Sequence, residues 1–212
     1  MKKNNLIKAL AALLILSACH SLPKLEEYPF ETRPLAAVMP FAYSAKDNPE
    51  FADSIDGMTD SFMTSLLATG RVRLIERGRI QDVLKEMNLA ASGVVDSGSA
   101  ALIGKQLGAR TMIFGSISNV SMRDVSRSIG IATKTNRYID VEADVRMVDA
   151  ETGELIASAK VINKAESAEK HAFGAKAGAL VLPKELFKQA LIGLSDKLAY
   201  ELGKNIRPVA SK

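Results

Sequence analysis

One cysteine, two histidines and no tryptophan stand in a chain of 212 residues. The lone Cys19 excludes an internal disulfide and any multi-cysteine metal site. His20 adjoins that cysteine, and His171 sits in an Ala/Gly/Lys-rich stretch with no second soft ligand near it, so a zinc centre lacks donors. Aromatics make up only 5%, which argues against stacking platforms for single-stranded nucleic acid. Phosphate-cradling glycine loops, nucleophile elbows and two-histidine helix motifs are absent. Of the formal charge of +4, three units sit on Lys2, Lys3 and Lys8 in the N-terminal segment; without them 25 basic groups face 24 acidic ones. A near-neutral chain gives no electrostatic reason to expect a nucleic-acid partner. What remains is 47% hydrophobic and 25% charged, a globular composition of one-domain length.

A long apolar run is also missing. Ala9 to Leu16 is too short for the ~20 apolar residues of a membrane-spanning helix. It follows a basic segment, Met1 to Lys8, and ends in small residues, the pattern of a secretory signal. Leu16-Ser17-Ala18-Cys19 resembles the bacterial lipobox. That resemblance implies a signal peptide over 1–18 and a mature chain starting at Cys19, which would carry diacylglycerol and an N-acyl chain. His20, rather than Asp, follows the cysteine, and the sorting rule then implies the outer membrane with the domain facing the periplasm. Lipid chains anchor without spanning. No other cofactor is expected.

From His20 to Pro34, three prolines and mixed charge read as an extended tether that could reach roughly 50 Å. Leu35 to Met39 reads as a buried strand. Phe51, Ile55, Met58, Phe62 and Leu66 step by helical spacings and predict one helix closed by Gly70. Val72 to Ile75 is a second strand, and Ile80, Val83, Leu84 and Met87 mark a second helix. A polar stretch, Ser92 to Ser99, precedes a third helix over Ala101 to Leu107, capped by Ser97 or Ser99 and stopped by Gly108. Thr111 to Ile117 is a dense central strand. Ile139, Val141, Ala143, Val145 and Met147 alternate with Asp140, Glu142, Asp144 and Arg146, so one face is buried and one wet. After a turn at Asp149 to Glu154, Leu155 to Ile162 is the partner strand of a hairpin. Phe187, Leu191, Leu194, Leu198 and Leu202 mark a long closing helix. The order β-α-β-α-α-β-β-β-α defines an α/β (α+β) fold: one domain over 35–206, a mixed central sheet flanked by helices, then a tail over 207–212. Asp140, Glu142 and Asp144 could form an acid/base or cation site, but alternation alone accounts for a wet face.

Four ordered blocks carry a family resemblance: Leu74-Ile75-Glu76-Arg77 with Leu84-Lys85-Glu86; Ile103 to Ala109 leading into Phe114-Gly115-Ser116-Ile117; Val145 to Asp149; and Thr152-Gly153-Glu154-Leu155. With the lipobox, they resemble the CsgG family of curli-production assembly and transport lipoproteins. The resemblance implies a non-enzymatic outer-membrane lipoprotein forming a homo-oligomeric ring that exports, or helps assemble, a secreted or surface protein. Its partners would be that cargo or accessory envelope proteins. It also implies two membrane β-hairpins per subunit, at about Ser118 to Ile139 and Asn163 to Val181, with Val120, Met122, Ile129, Ile131, Tyr138 and Phe173 as apolar contributors. Charged residues such as Arg123, Arg127, Lys134, Glu169 and Lys170 interrupt both segments. A channel constriction would fall at Tyr43 to Phe51, on Tyr43, Asn48, Glu50 and Phe51; Phe51 reads equally as a core residue. A second reading is a pore-free adaptor resembling the lipoproteins that activate penicillin-binding proteins.

Overall fold

The computed structural model describes residues 22–87 and 97–210. The expected signal segment, Cys19 and the polar residues 92–96 lie outside the described residues. Seven strands form one mixed sheet: β1 (Leu35–Val38), β2 (Ala42–Tyr43), β3 (Arg73–Leu74), β4 (Thr111–Ile129), β5 (Ala132–Asp149), β6 (Leu155–Ala172) and β7 (Ala175–Gly178). Their spatial order is β3-β1-β4-β5-β6-β7, with β2 also on β4. β1, β2 and β3 pair in parallel, and β4 to β7 form an antiparallel meander. The helices are α1 (Met58–Ala68), α2 (Arg77–Glu86), α3 (Ser97–Leu107) and α4 (Pro183–Asn205). The fold is the expected mixed α/β one. The sequence reading omitted β2, two residues long and without a period of its own. It also ended β6 ten residues early, at Ile162, and placed His171 in a loop rather than on the strand.

Two apolar clusters sandwich the base of the sheet. Ile113, Ile117, Val141 and Val145 pack under α1 and α4, whereas Ala37, Met112 and Phe114 pack under α2 and α3. All five expected apolar positions of β5, and all five of α4, are buried. The predicted helix through Phe51 is two pieces. Pro49–Ser54 is a 3-10 turn, and Gly57 takes φ +82, a left-handed conformation that stops one helix before α1 begins. Phe51 still reaches the core: it is 0% exposed and stacks on Phe187 with ring centroids 4.8 Å apart. The expected cap at Ser97 or Ser99 is displaced, since α3 begins at Ser97.

The tether departs most from expectation. From Leu25 onward it is a docked strap. Leu25 packs against Gly203. The Tyr28 ring lies under the Arg71 guanidinium at 4.1 Å, its hydroxyl donates to the Ile206 carbonyl (3.0 Å), and its N–H donates to the Gly70 carbonyl (3.1 Å). Arg33 Nε donates to the Tyr28 carbonyl (2.8 Å), and the Val209 N–H donates to the Thr32 carbonyl (2.8 Å). The residues read as a C-terminal tail thus tie onto the residues read as a tether.

Phe51→Ala removes a fully buried ring and one side of an aromatic stack. It should cost about 3–5 kcal/mol, read as a lower urea midpoint, whereas Leu67→Ala on the exposed face of α1 should leave the midpoint nearly unchanged.

Candidate functional site

The covering of the sheet decreases in steps along β4. Residues 111–115 are buried on both faces, Ile117 and Val120 on one, and 121–129 on neither. A β-bulge between Ile117 and Asn119 resets the alternation. Without it Asn119 would point at α4; with it Val120 does. The lead-in to α4 ends the covered zone. Arg137 donates to both Asp124 carboxylate oxygens (2.9 and 2.7 Å) and to the Val181 carbonyl (3.1 Å), and the Val181 N–H donates to Ser167 Oγ (3.2 Å). Beyond that level β4, β5 and β6 continue as a bare paddle.

Its two turns are tight. Gly130-Ile131 joins β4 to β5, and Phe173-Gly174 joins β6 to β7. Both residues of the second turn have positive φ (50 and 76), as a type I′ turn requires, and Phe173 is the only non-glycine to do so among the described residues. The second hairpin is lopsided, because β7 pairs over only four positions.

Neither face of the paddle is apolar. On the α4 side, Asp124–Arg137, Ser126–Thr135 (2.9 Å) and Ser128–Thr133 (3.0 Å) form a polar ladder. Beside it, Glu169 meets His171 Nε2 (2.5 Å) and Lys176 Nζ (2.6 Å). These two hydrogen bonds, Lys176's first, hold the Glu169 carboxyl down to about 2. On the opposite face, Arg123, Lys134, Lys164, Glu166 and Lys170 surround Val125 and Tyr138. Asp140, Glu142 and Asp144 lie on this face, and each has a partner. Arg123 reaches Asp140 at 2.8 Å, Lys160 pairs with Glu142, and Ser116 Oγ donates to Asp144 (3.2 Å). Glu142 raises the Lys160 ammonium above its ordinary value. Among the described residues no cluster of three or more metal-ligating side chains occurs, and no helix is long and apolar enough to cross a membrane, a statement that does not bear on strands.

The six expected hairpin residues therefore do not form one band. Val120, 1% exposed, is a core residue, corrected by the bulge that turns it inward. Met122 shares its face. Tyr138, under the Arg123 guanidinium, and Ile129, 85% exposed, lie on the other face. Ile131 and Phe173 are exposed at the turns. Of the four expected constriction residues, Phe51 belongs to the core, as the stack on Phe187 requires. The other three gather at the base of the paddle. The Tyr43 hydroxyl donates to the Asn48 carbonyl, and Asn48 Nδ2 donates to the Val120 carbonyl (2.7 Å). Burial, then the exposed Glu50 carboxylate, push the Tyr43 phenol above its ordinary value, so it remains a donor. The sequence reading missed the strap, the Arg137 clasp and two open sheet edges. From Asn119 to Ile129, β4 has no strand on its side away from β5, and β6 has none opposite β5 from Leu155 to Ala168, among the described residues.

The sheet thus ends in a polar paddle with two open edges among the described residues. The family model for the curli production assembly/transport component CsgG matches residues 31–197. The chain belongs to the CsgG family. No curated protein matches it. Similar solved structures include lipoprotein GNA1162 from Neisseria meningitidis, 12% identical, with 79% of this chain and 99% of that one covered and a TM-score of 0.43. The LpoB C-terminal domain from Salmonella enterica is 13% identical, covering 73% and 93%, with a TM-score of 0.41. A PelC dodecamer from Paraburkholderia phytofirmans is 12% identical, covering 84% and 94%, with a TM-score of 0.30.

The Glu169 tie fixes a pH dependence. A carboxyl lowered from 4.5 to about 2 adds stability above its unfolded value, and that contribution is lost as pH falls from about 4.5 toward 2. A carbon-detected NMR titration should find the Glu169 midpoint near 2, moving up toward the ordinary value in Lys176→Ala.

Proposed function

We propose that this chain is a lipid-anchored, non-catalytic component of a bacterial envelope export or assembly apparatus. It self-associates into a ring whose paddles face an aqueous passage for a secreted or surface protein. The family match over residues 31–197 carries the reading. The signal and Cys19 support attachment to the outer membrane on its periplasmic side. The open edges support assembly. β7 runs antiparallel to β6, so it is also antiparallel to β4 of a neighbour related by rotation, and a head-to-tail contact of that kind closes into a ring.

Paddle composition bears on where the ring sits. A barrel in lipid needs one alternating apolar face, and here both faces carry charge. From Ser121, where burial ends, β4 runs nine positions to its turn, the lower end of the ~9–11 of a membrane-crossing strand, so composition rather than length carries the placement. We therefore place the paddles in water. The Tyr43, Asn48 and Glu50 loop is moored to β4 at the paddle base and would border the passage there. A pore-free activator of an envelope enzyme is the competing function, and the docked strap, which shortens the tether, disfavours it.

Electron microscopy and light scattering on detergent-extracted full-length protein should show closed rings that form no channels in planar bilayers. A strict monomer would sink the ring reading in favour of the adaptor, and discrete channels would restore a membrane barrel. Cys19→Ser should release the protein into the soluble periplasmic fraction, because the acyl chains are its only membrane attachment in this reading.

A further inference from the structure

One open edge of the sheet takes no part in the ring contact between β7 and β4. From Leu155 to Ala168, β6 has β5 on one side and no strand on the other among the described residues. The direction of its main-chain groups follows from the pairing. Ala172↔Ala175 flanks the two-residue turn to β7, so the even-numbered residues of β6 turn their N–H and C=O groups away from β5. The Ser158 carbonyl keeps this parity, because Asn205 Nδ2 at the end of α4 donates to it from outside the sheet (2.9 Å). No register shift lies between Ser158 and His171. The outward N–H and C=O groups of Lys160, Ile162, Lys164 and Glu166 therefore form one row without a partner among the described residues. Sheets commonly blunt such an edge with a proline, a bulge or an outward-pointing lysine. β6 contains no proline. Its edge lysines lean inward, toward carboxylates of β5: Lys160 pairs with Glu142, and Lys164 Nζ lies 3.9 Å from Asp140 Oδ1.

We propose that the β6 edge from Lys160 to Glu166 is a strand-addition site for an extended, uncharged, β-branched segment of another polypeptide. Free main-chain groups at strand spacing are matched by an extended chain. Charge on this face is already balanced, with Arg123, Arg146, Lys160 and Lys164 against Asp140, Glu142, Asp144 and Glu166, so a charged segment has nothing left to pair with. Ile162, 53% exposed in the middle of the row, suits an aliphatic neighbour. A second folded copy does not fit by two-fold pairing. Asn163 lies directly under α4: its Nδ2 donates to the Ala190 carbonyl (2.6 Å), and Lys197 Nζ donates to its Oδ1 (2.6 Å). Two β6 strands paired about a two-fold axis stand ~4.8 Å apart. Their α4 helices would share one face, where packed helix axes need ~8–10 Å. An extended segment with no helix of its own avoids that clash. Beyond Ser158, a cleft of about 460 Å³ lined by Arg146, Lys160, Glu201 and Asn205 leaves room for its end.

The probe is a fluorescein-labelled synthetic peptide, Ser-Val-Thr-Val-Thr-Val-Ser, titrated with full-length protein in detergent and followed by anisotropy. Saturable binding is expected, and the same peptide with both threonines replaced by proline should not bind. Ile162→Pro removes one outward N–H and spares the β5 ladder, which uses the odd-numbered residues. It should weaken binding roughly tenfold or more. Ile162→Asp keeps every main-chain group and should weaken binding several-fold; with circular dichroism as the check of folding, it serves should the proline variant not fold. No binding to the parent protein, equal binding to both folded variants, or binding of the proline peptide would overturn the proposal. Light scattering distinguishes the remaining occupant. Ile162→Pro should leave the assembly size unchanged, whereas loss of the assembly would give this edge to a second copy and overturn the assignment. Peptide binding by a protein that is strictly monomeric would remove the ring reading and leave the strand-addition site standing.

Discussion

The antiparallel ladder of β4, β5 and β6 outruns the helices available to cover it. Main-chain pairing of β4 with β5 runs from Thr111↔Asp149 to Ile129↔Ala132, interrupted only by the bulge at Ser118, and β6 follows β5 out to His171. Hydrogen bonding therefore holds the strands extended well past the last apolar layer, where Val120, Ile139 and Val141 meet α4. Beyond it, stability has to come from cross-strand pairs, each worth only about 0.2–1 kcal/mol. The residues there supply them: a bidentate Asp124–Arg137 pair, two Ser–Thr bonds and the Glu169 cluster. The paddle is held by strand pairing rather than by burial.

The same geometry ties the base loop to the paddle. Asn48 spans from the 3-10 turn to the Val120 carbonyl at the point where burial ends, and Tyr43 in turn binds the Asn48 carbonyl. Arg137 and Ser167 play the matching role on the other side by bonding to Val181, which ties the lead-in of α4 to β5 and β6.

Local periodicity was legible, and long-range pairing was not. The alternation from Ile139 to Met147 and the heptad-like steps of α4 predict their buried faces because each depends only on neighbours along one element. Val120 was misread because its direction depends on a bulge, which exists only relative to the partner strand. The Asp56-Gly57 pair was a visible breaker signal in the Phe51 stripe, and the stripe concealed it by continuing in phase across the break. The strap could not be read at all. Its chief anchor, Tyr28, binds a carbonyl 178 positions away at Ile206, and nothing in a proline-rich segment distinguishes a docked strand from a free tether. At the paddle the reverse holds: the charges that interrupt 118–139 were plain in the sequence, and the structure shows that they fall on both faces.

Composition bears on where the paddle can stand in the proposed assembly. A lipid-facing register would bury Arg123, Lys134 and Lys170 on one side or Asp124, Glu169 and Arg137 on the other. In a ring built through the open edges of β4 and β7, the paddles would all lie on one rim, because head-to-tail closure preserves direction. That would make the assembly polar and put the Tyr43–Asn48 loops at the paddle roots, along whatever path runs through it.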